Sequence, residues 1–379
     1  MLGIELTQEE QLLRESADRF IERDYAFSER REAISSELGF RQDVWGTFAE
    51  LGWLGINVPT SAGGIGGGAR QTALVMEPFG RGLVTEPFLV SAVMASATVS
   101  LSGNEEQIEA LLPGLVCGER RMSLAYAEPK SRYDINVVGT RAVRGDGGYV
   151  INGHKSVVLN GDSAHDFVVS ARTSGEEADT EGISLLVVPA DQEGVSIRGY
   201  ATNDGGRGAD VSFENVVVNE AALLGEEGGG FSALEQSIDR ATAAVCAESL
   251  GIMSVLNDIT LEYAKTRQQF GQPIGKNQAL QHRLVDMFVG LEETRSLLAI
   301  YMGDVDSSDA NERARAASAM KIQVGKAGRL IGQESIQLHG GIAMTDEYIA
   351  SHYFKRLTVI TRLFGDVDWH LDRFAMLPN

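Results

Sequence analysis

Arg267 is the residue of this sequence best suited to holding a phosphate. Its guanidinium is planar, permanently charged and able to bind two oxygens at once. It stands in the run Tyr263-Ala-Lys-Thr-Arg-Gln-Gln-Phe-Gly-Gln-Pro-Ile-Gly-Lys-Asn-Gln-Ala-Leu-Gln-His-Arg-Leu-Val-Asp286, with the ring of Phe270 and the amide of Gln278 near it in sequence. Together they read as a clamp for a phosphate or pyrophosphate. The same residues also make a capped corner with no chemistry. Lys265 and Arg267 complement the negative end of a helix dipole, Gly271 and Gly275 permit a turn, and Pro273 stops the helix. Spacing alone does not choose between clamp and corner.

Other chemical signals are weaker. The cluster Gly63-Gly64-Ile65-Gly66-Gly67-Gly68 invites a dinucleotide fingerprint. That fingerprint needs a strand before it and a helix after it. Pro59 and Ser61 precede the cluster, so a flexible loop is the better reading. His339 is a lone histidine, read as a packing or solvent residue. Cys117 and Cys246 have no metal-ligand spacing and lie far apart, which fits a reducing compartment.

The elements that position these residues fall into three textures. Thr7-Gln-Glu-Glu10 is a capping box, followed by Leu12, Leu13, Ala17, Phe20 and Ile21 at helical spacing. A second helix carries Val44, Phe48 and Leu51, and residues 70 to 118 return to helical periodicity. From about Met122, β-branched runs alternate with glycine turns over about 100 residues, with no helices between. Gly225-Glu-Glu-Gly-Gly-Gly230 reads as a hinge. Helices then span about 231 to 267, 277 to 303 and 309 to 338, with a shorter segment from 348 to 363. The fold class is α+β: an N-terminal helical domain (1–120), a middle antiparallel β sandwich or barrel (121–225) and a C-terminal four-helix bundle (226–379).

The 33 basic and 53 acidic residues give a formal net charge of −20. A surface that negative disfavours nucleic acid and anionic membranes as general partners. No export signal or 18-residue apolar run is apparent, so no membrane insertion and a cytoplasmic location are expected.

Four stretches in this order resemble the flavin-dependent acyl-CoA dehydrogenase family across essentially the whole chain. They are Leu51-Gly-Trp-Leu-Gly-Ile-Asn-Val-Pro59; Tyr126-Ala-Glu-Pro129 with Gly148-Tyr-Val-Ile-Asn-Gly-His-Lys155 and Asn160-Gly161; Tyr263 to Ile274; and Gln337-Leu-His-Gly-Gly341 through Tyr348. The resemblance implies FAD as cofactor, an acyl-CoA substrate, an electron-transfer flavoprotein or similar acceptor, and a bundle that builds a tetramer. It places Arg267, Phe270 and Gln278 on the adenine-dinucleotide half of an FAD across a dimer interface, and Gln337, Gly340 and Gly341 along the same half. It places Ala127 and Leu159 on the flavin side.

The sequence also departs from that family. The usual glutamate base before a late glycine falls on Phe364. Some members carry the base before an arginine in the first bundle helix, which here is Asp239-Arg240. Asp239 is therefore the candidate base, with Asp366 or a partner-supplied group as alternatives. Ala127 replaces the usual threonine, and Val157-Val158-Leu159 replaces Trp-x-Thr. The half offered to a partner's FAD is kept while the home half is eroded. In this the chain resembles the smaller, degenerate subunit of heteromeric members, including those acting on dicarboxylic or steroid side-chain CoA esters. A self-sufficient homo-oligomer and a subunit of a heteromer both remain open on sequence alone.

Overall fold

The computed structural model describes residues 5–378. In chain order its first helices are α1 (Gln8–Asp24), α2 (Phe27–Ile34), α3 (Gln42–Glu50), α4 (Ala69–Gly82), a buried π-helical stretch (Phe88–Ala95), α5 (Ser96–Ser102) and α6 (Glu105–Val116). The strands β1 (Met122–Ala125), β2 (Arg141–Gly145), β3 (Gly148–Leu159), β4 (Asp166–Arg172), β5 (Ile183–Pro189), β6 (Val195–Ala201), β7 (Arg207–Asn219) and β8 (Leu223–Leu224) follow. Then come α7 (Phe231–Thr266), the short strands β9 (Gln268–Gln269) and β10 (Gln272–Pro273), α8 (Gln278–Tyr301), α9 (Ala310–His339), α10 (Ile349–Ile360) and α11 (Val367–Met376). This is the helical, β, helical order read from the sequence.

The residues form two compact units. One gathers Met1–Arg31, Ala69–Val84 and Thr242–Asn379. Here the Thr7 hydroxyl accepts from the Glu10 N–H at 3.2 Å, while the Thr7 N–H donates to the Glu10 carboxylate at 3.0 Å. That closes the capping box that starts α1. Buried Glu77 on α4 accepts from Arg14 on α1 at 2.7 Å, so its charge is paired inside the packing. α4 and α7 cross through reciprocal glycines. A methyl at Gly80 would sit 2.0 Å from the Glu248 carbonyl oxygen, and one at Gly251 would sit 2.0 Å from that of Glu77.

The second unit holds Glu32–Gly68 and Thr85–Ala241. Its sheet has the order β6-β7-β3-β2-β4-β5-β8, with β1 added on β4. Pairing is antiparallel apart from β1 with β4 and β2 with β4. Phe167 and Phe213 meet edge to face at 6.5 Å in a core with Ile151, Val169, Val188 and Val211. Two pairs of short apolar runs each fuse into one strand. In β3 the irregularity falls at Val157 (φ 53), and in β7 at Asn215 (φ 51). The Asn215 N–H is held by the Asn152 side chain at 2.8 Å.

Several elements have no apolar period to announce them. β2 reads Arg-Ala-Val-Arg-Gly and buries only Ala142, and α2 and α11 are short and charged. The segment expected to be a hinge is pinned instead: the Gly230 N–H donates to Ile183 at 2.7 Å and the Gly228 N–H to the Ser184 hydroxyl at 2.8 Å. α7 is long and apolar enough to cross a membrane by length and composition, which qualifies the expectation of no such run. Of that window 67% is buried inside the fold, as in a core helix.

The glycine crossing sets a test. Gly251→Ala should destabilise the protein by about 3 kcal/mol, the upper end for an overpacked core. Gly303→Ala, whose methyl would meet nothing within 4 Å, should cost nothing measurable. Denaturant unfolding of both variants reads the difference.

Candidate functional site

The corner after α7 is tightly built. The Arg267 N–H still donates to Tyr263 at 2.8 Å, and the Ile274 N–H donates back to Arg267 at 2.9 Å. Between them β9 and β10 pair across a two-residue turn, Phe270-Gly271, with φ 50 and 78. Positive φ at both residues is the sign pattern of a type I′ hairpin turn. Phe270 accepts that conformation, costly for an aromatic residue, and is 99% exposed. Lys265 pairs with Glu262 at 2.6 Å, whereas exposed Arg267 has no ion pair among the described residues. Gln278 is exposed at the first position of α8.

A second limb lies at the end of α9. Gln337 is exposed, Gly340 has φ 67, and a methyl on Gly340 or Gly341 would meet nothing within 4 Å. The two limbs are joined by stacked rings: Tyr263 to His339 at 4.6 Å, and His339 to Tyr348 at 5.1 Å. His339 is buried, contacts the Ser335 carbonyl at 2.8 Å, and has its pKa pushed down by burial. It is a packing residue, as the sequence reading had it. Arg267, Phe270, Gln278, Gln337, Gly340 and Gly341 are thus tied to one end of the helical unit.

In the sheet unit, Ala127 and Leu159 are half-buried. The Ser156 N–H donates to the Ala127 carbonyl at 2.8 Å. Beneath them lies a group that the sequence reading did not single out. The Lys155 ammonium is fully buried and donates to Glu128 at 2.7 Å, Ser170 at 3.1 Å and the Tyr126 carbonyl at 3.3 Å. Glu128 also accepts from the Gly139 and Thr140 N–H groups at 2.8 and 3.0 Å. Burial pushes the Lys155 pKa down to about 8, with Glu128 opposing, and Lys155 in turn holds the Glu128 carboxyl below its usual range against desolvation. In sequence Lys155 stands between His154 and Ser156 in β3, and nothing local marks it as buried.

The candidate bases differ in setting. Asp239 is 1% exposed on α7. Asp366 is committed to structure: it caps α11 by accepting from the Trp369 N–H at 3.1 Å and pairs with Arg362 at 3.0 Å. Phe364 is buried with φ 58. Its turn is locked from below, the His370 Nε2 reaching the Phe364 carbonyl at 3.0 Å and the Lys321 amine donating to the Gly365 carbonyl. Burial pushes His370 down to about 3 and Lys321 down to about 8. A neutral His370 donating from Nε2 and accepting the Ser318 hydroxyl at Nδ1 satisfies both contacts.

The Gly63–Gly68 loop is not a phosphate cradle. Thr60–Ala62, a single 3-10 turn, precedes it, and its own N–H groups bond inward: Ile65 to Gly55, Gly66 to Val58 and Gly67 to Ile56, at 2.8–3.0 Å. No group of three or more metal-ligating side chains exists among the described residues.

Models of the N-terminal, middle and C-terminal domains of acyl-CoA dehydrogenase match residues 7–119, 123–216 and 228–376. The chain belongs to the acyl-CoA dehydrogenase family. It is 30% identical to the mitochondrial isovaleryl-CoA dehydrogenase of Solanum tuberosum, covering 90% of this chain and 84% of that one. It is also 30% identical to the caffeyl-CoA reductase-Etf complex subunit CarC of Acetobacterium woodii, over 90% and 92%. The solved structure of a variant of the Tcur3481-Tcur3483 steroid ACAD is 28% identical, covers 100% of this chain and 98% of its own, and has a TM-score of 0.87.

Acyl-CoA dehydrogenases are FAD-dependent oxidoreductases acting on CH–CH groups, and this chain's residues fit the dinucleotide half of that cofactor. Arg267 offers an uncommitted charge, Phe270 a solvent-facing ring, and Gly340 and Gly341 room for close approach. Ala127 and Leu159, by contrast, carry no polar side chain. The exposed turn gives a direct test of strain. Phe270→Asn places the favoured Asn-Gly pair in the I′ turn and should raise stability by about 1 kcal/mol in thermal or denaturant unfolding.

Proposed function

We propose that this chain works as a subunit of an oligomeric, FAD-dependent acyl-CoA dehydrogenase that forms an α,β-unsaturated acyl-CoA. The observation that carries the oligomer is the length of α7. From Asp239 to Thr266 the helix is unbroken for 28 residues, a rise of about 40 Å at 1.5 Å per residue. One extended dinucleotide does not reach from a base at Asp239 to a clamp at Arg267. The clamp therefore serves the cofactor of a neighbouring subunit. An unpartnered apolar stripe on α8, with Val285, Phe288, Val289 and Ile300 each about half exposed or more, supplies surface for that assembly.

Asp239 is the group for taking the Cα proton of the thioester on its carboxylate. Its burial keeps water away from the transfer. Arg267 and Gln278 hold the phosphates, Phe270 stacks on the adenine, and Gln337, Gly340 and Gly341 line the pyrophosphate. When bound, FAD supplies the acceptor for the hydride leaving Cβ. The likeness to CarC supports an electron-transfer flavoprotein as the onward acceptor. The 28% identical steroid ACAD makes CoA esters of steroid side chains the first substrates to offer.

A second reading has a specific observation behind it. The apolar side chains at Ala127, Leu159 and Phe364 favour a silent subunit that completes the FAD site of a homologous partner chain. The two readings give opposite results. If the chain is self-sufficient, it purifies yellow and acyl-CoA bleaches it. Asp239→Asn then keeps its flavin and loses about 10²–10⁴-fold in reduction rate. If the chain is silent, it purifies colourless and gains flavin only when co-expressed with a homologous chain. In that complex Asp239→Asn leaves the rate unchanged, whereas Arg267→Ala lowers flavin content.

A further inference from the structure

We infer that Lys155, together with Glu128, is a positioning residue for the flavin-ring end of the cofactor site: it holds the Tyr126–Glu128 main chain so that the Ala127 N–H stays free to donate to the ring edge. The inference rests on the reading that this chain takes up FAD beside Ala127. Three observations carry it.

The first is the cost of the pair. A lysine 0% exposed inside a sheet is expensive, and an apolar side chain of similar volume would commonly stabilise the fold as well or better. The second is where its bonds go. Lys155 draws together the Tyr126 carbonyl, the Glu128 carboxylate and the Ser170 hydroxyl, while Glu128 fastens the Gly139 and Thr140 N–H groups. The segment after β1 and the approach to β2 are thereby fixed to β3 and β4. The third is what the arrangement leaves open. The Ala127 carbonyl accepts from Ser156, yet the half-buried Ala127 N–H makes no hydrogen bond among the described residues. Half-buried donors without partners are uncommon unless a ligand or water completes them. With no hydroxyl at 127 or 159, that N–H is a donor this segment offers to the ring.

The test compares Lys155→Met, Glu128→Gln and the double variant with the wild-type chain. FAD affinity is read by titration of flavin fluorescence, stability by thermal unfolding, and mobility by hydrogen exchange of the 126–140 peptide. Lys155→Met should weaken FAD binding about tenfold, the worth of roughly one hydrogen bond, and speed exchange in 126–140. In the double variant no buried charge is left unpaired, and the amide oxygen introduced by Glu128→Gln still accepts from one of the Gly139 and Thr140 N–H groups, which bond to different carboxylate oxygens, so stability returns part of the way towards wild type. FAD binding should nevertheless stay about tenfold weak, because the tether on the Tyr126 carbonyl is gone. A pair that only stabilises the fold predicts that stability and affinity recover together, and that result overturns the proposal. Unchanged exchange in Lys155→Met overturns it as well. A wild-type chain that takes up no FAD, alone or co-expressed, sinks the underlying reading and the ring contact with it, while the exchange arm separately decides whether Lys155 holds the segment.

Discussion

The close crossing of α4 and α7 is the constraint on which the helical unit depends. Gly80 and Gly251 each face a backbone carbonyl of the other helix at a distance that excludes even a methyl group. Two helices locked so closely have little freedom to slide or rotate, because interiors are close-packed and resist small volume changes. Everything farther along α7 inherits that fixed register. Glu248 pairs with Arg356 of α10 at 2.6 Å, Thr260 meets Ser335 of α9 at 2.8 Å, and Tyr263 stacks on His339. The Arg267 corner is held at the end of this ladder of contacts, which is why an exposed hairpin of so few residues keeps one shape.

Strain marks the same places. Among non-glycine residues with left-handed backbone, Val157, Asn160, Phe270 and Phe364 stand in the stretches compared with the family's motifs. Val157, Phe270 and Phe364 are held by neighbours that over-determine them, as such conformations require. Phe270 is closed between the β9–β10 ladder and the Ile274–Arg267 bond. Phe364 is fastened through its own carbonyl and that of Gly365 by His370 and Lys321. The Val157 N–H faces Tyr200 and Asp210.

Much of this was legible in the sequence, and unevenly for physical reasons. Long helices announced themselves, α1 by its capping box and α7 and α9 by long runs at helical spacing. The middle sheet was legible from its β-branched runs, but its bulges were not, because a strand that kinks at Val157 or Asn215 looks in sequence like two strands. Charged elements such as α2, β2 and α11 carry no period to read. The exposed corner at Arg267 and Phe270 was visible because charge and turn chemistry are local. Lys155 with Glu128, and Lys321 with His370, were missed because each pair is separated by tens of residues in sequence and defined only by packing.

The glycine-rich stretches show why composition alone does not locate a cofactor. Gly63–Gly68, Gly225–Gly230 and Gly340-Gly341 look alike as letters. In Gly63–Gly68 the N–H groups already bond to the preceding Gly55–Pro59 segment and to Thr60, so they are not left for a phosphate. In Gly225–Gly230 the strap is bonded to Ile183 and Ser184, and a methyl on Gly230 would come within 2.8 Å of Leu185. At Gly340 and Gly341 the backbone instead faces open space, beside an exposed glutamine and at the end of the unit that carries an uncommitted arginine. A phosphate needs room for close approach and charge with no other partner. Both conditions hold around Arg267 and Gly340, and Gly63–Gly68 and Gly225–Gly230 do not meet them together, so the fold leaves this end of the helical unit open to a phosphate.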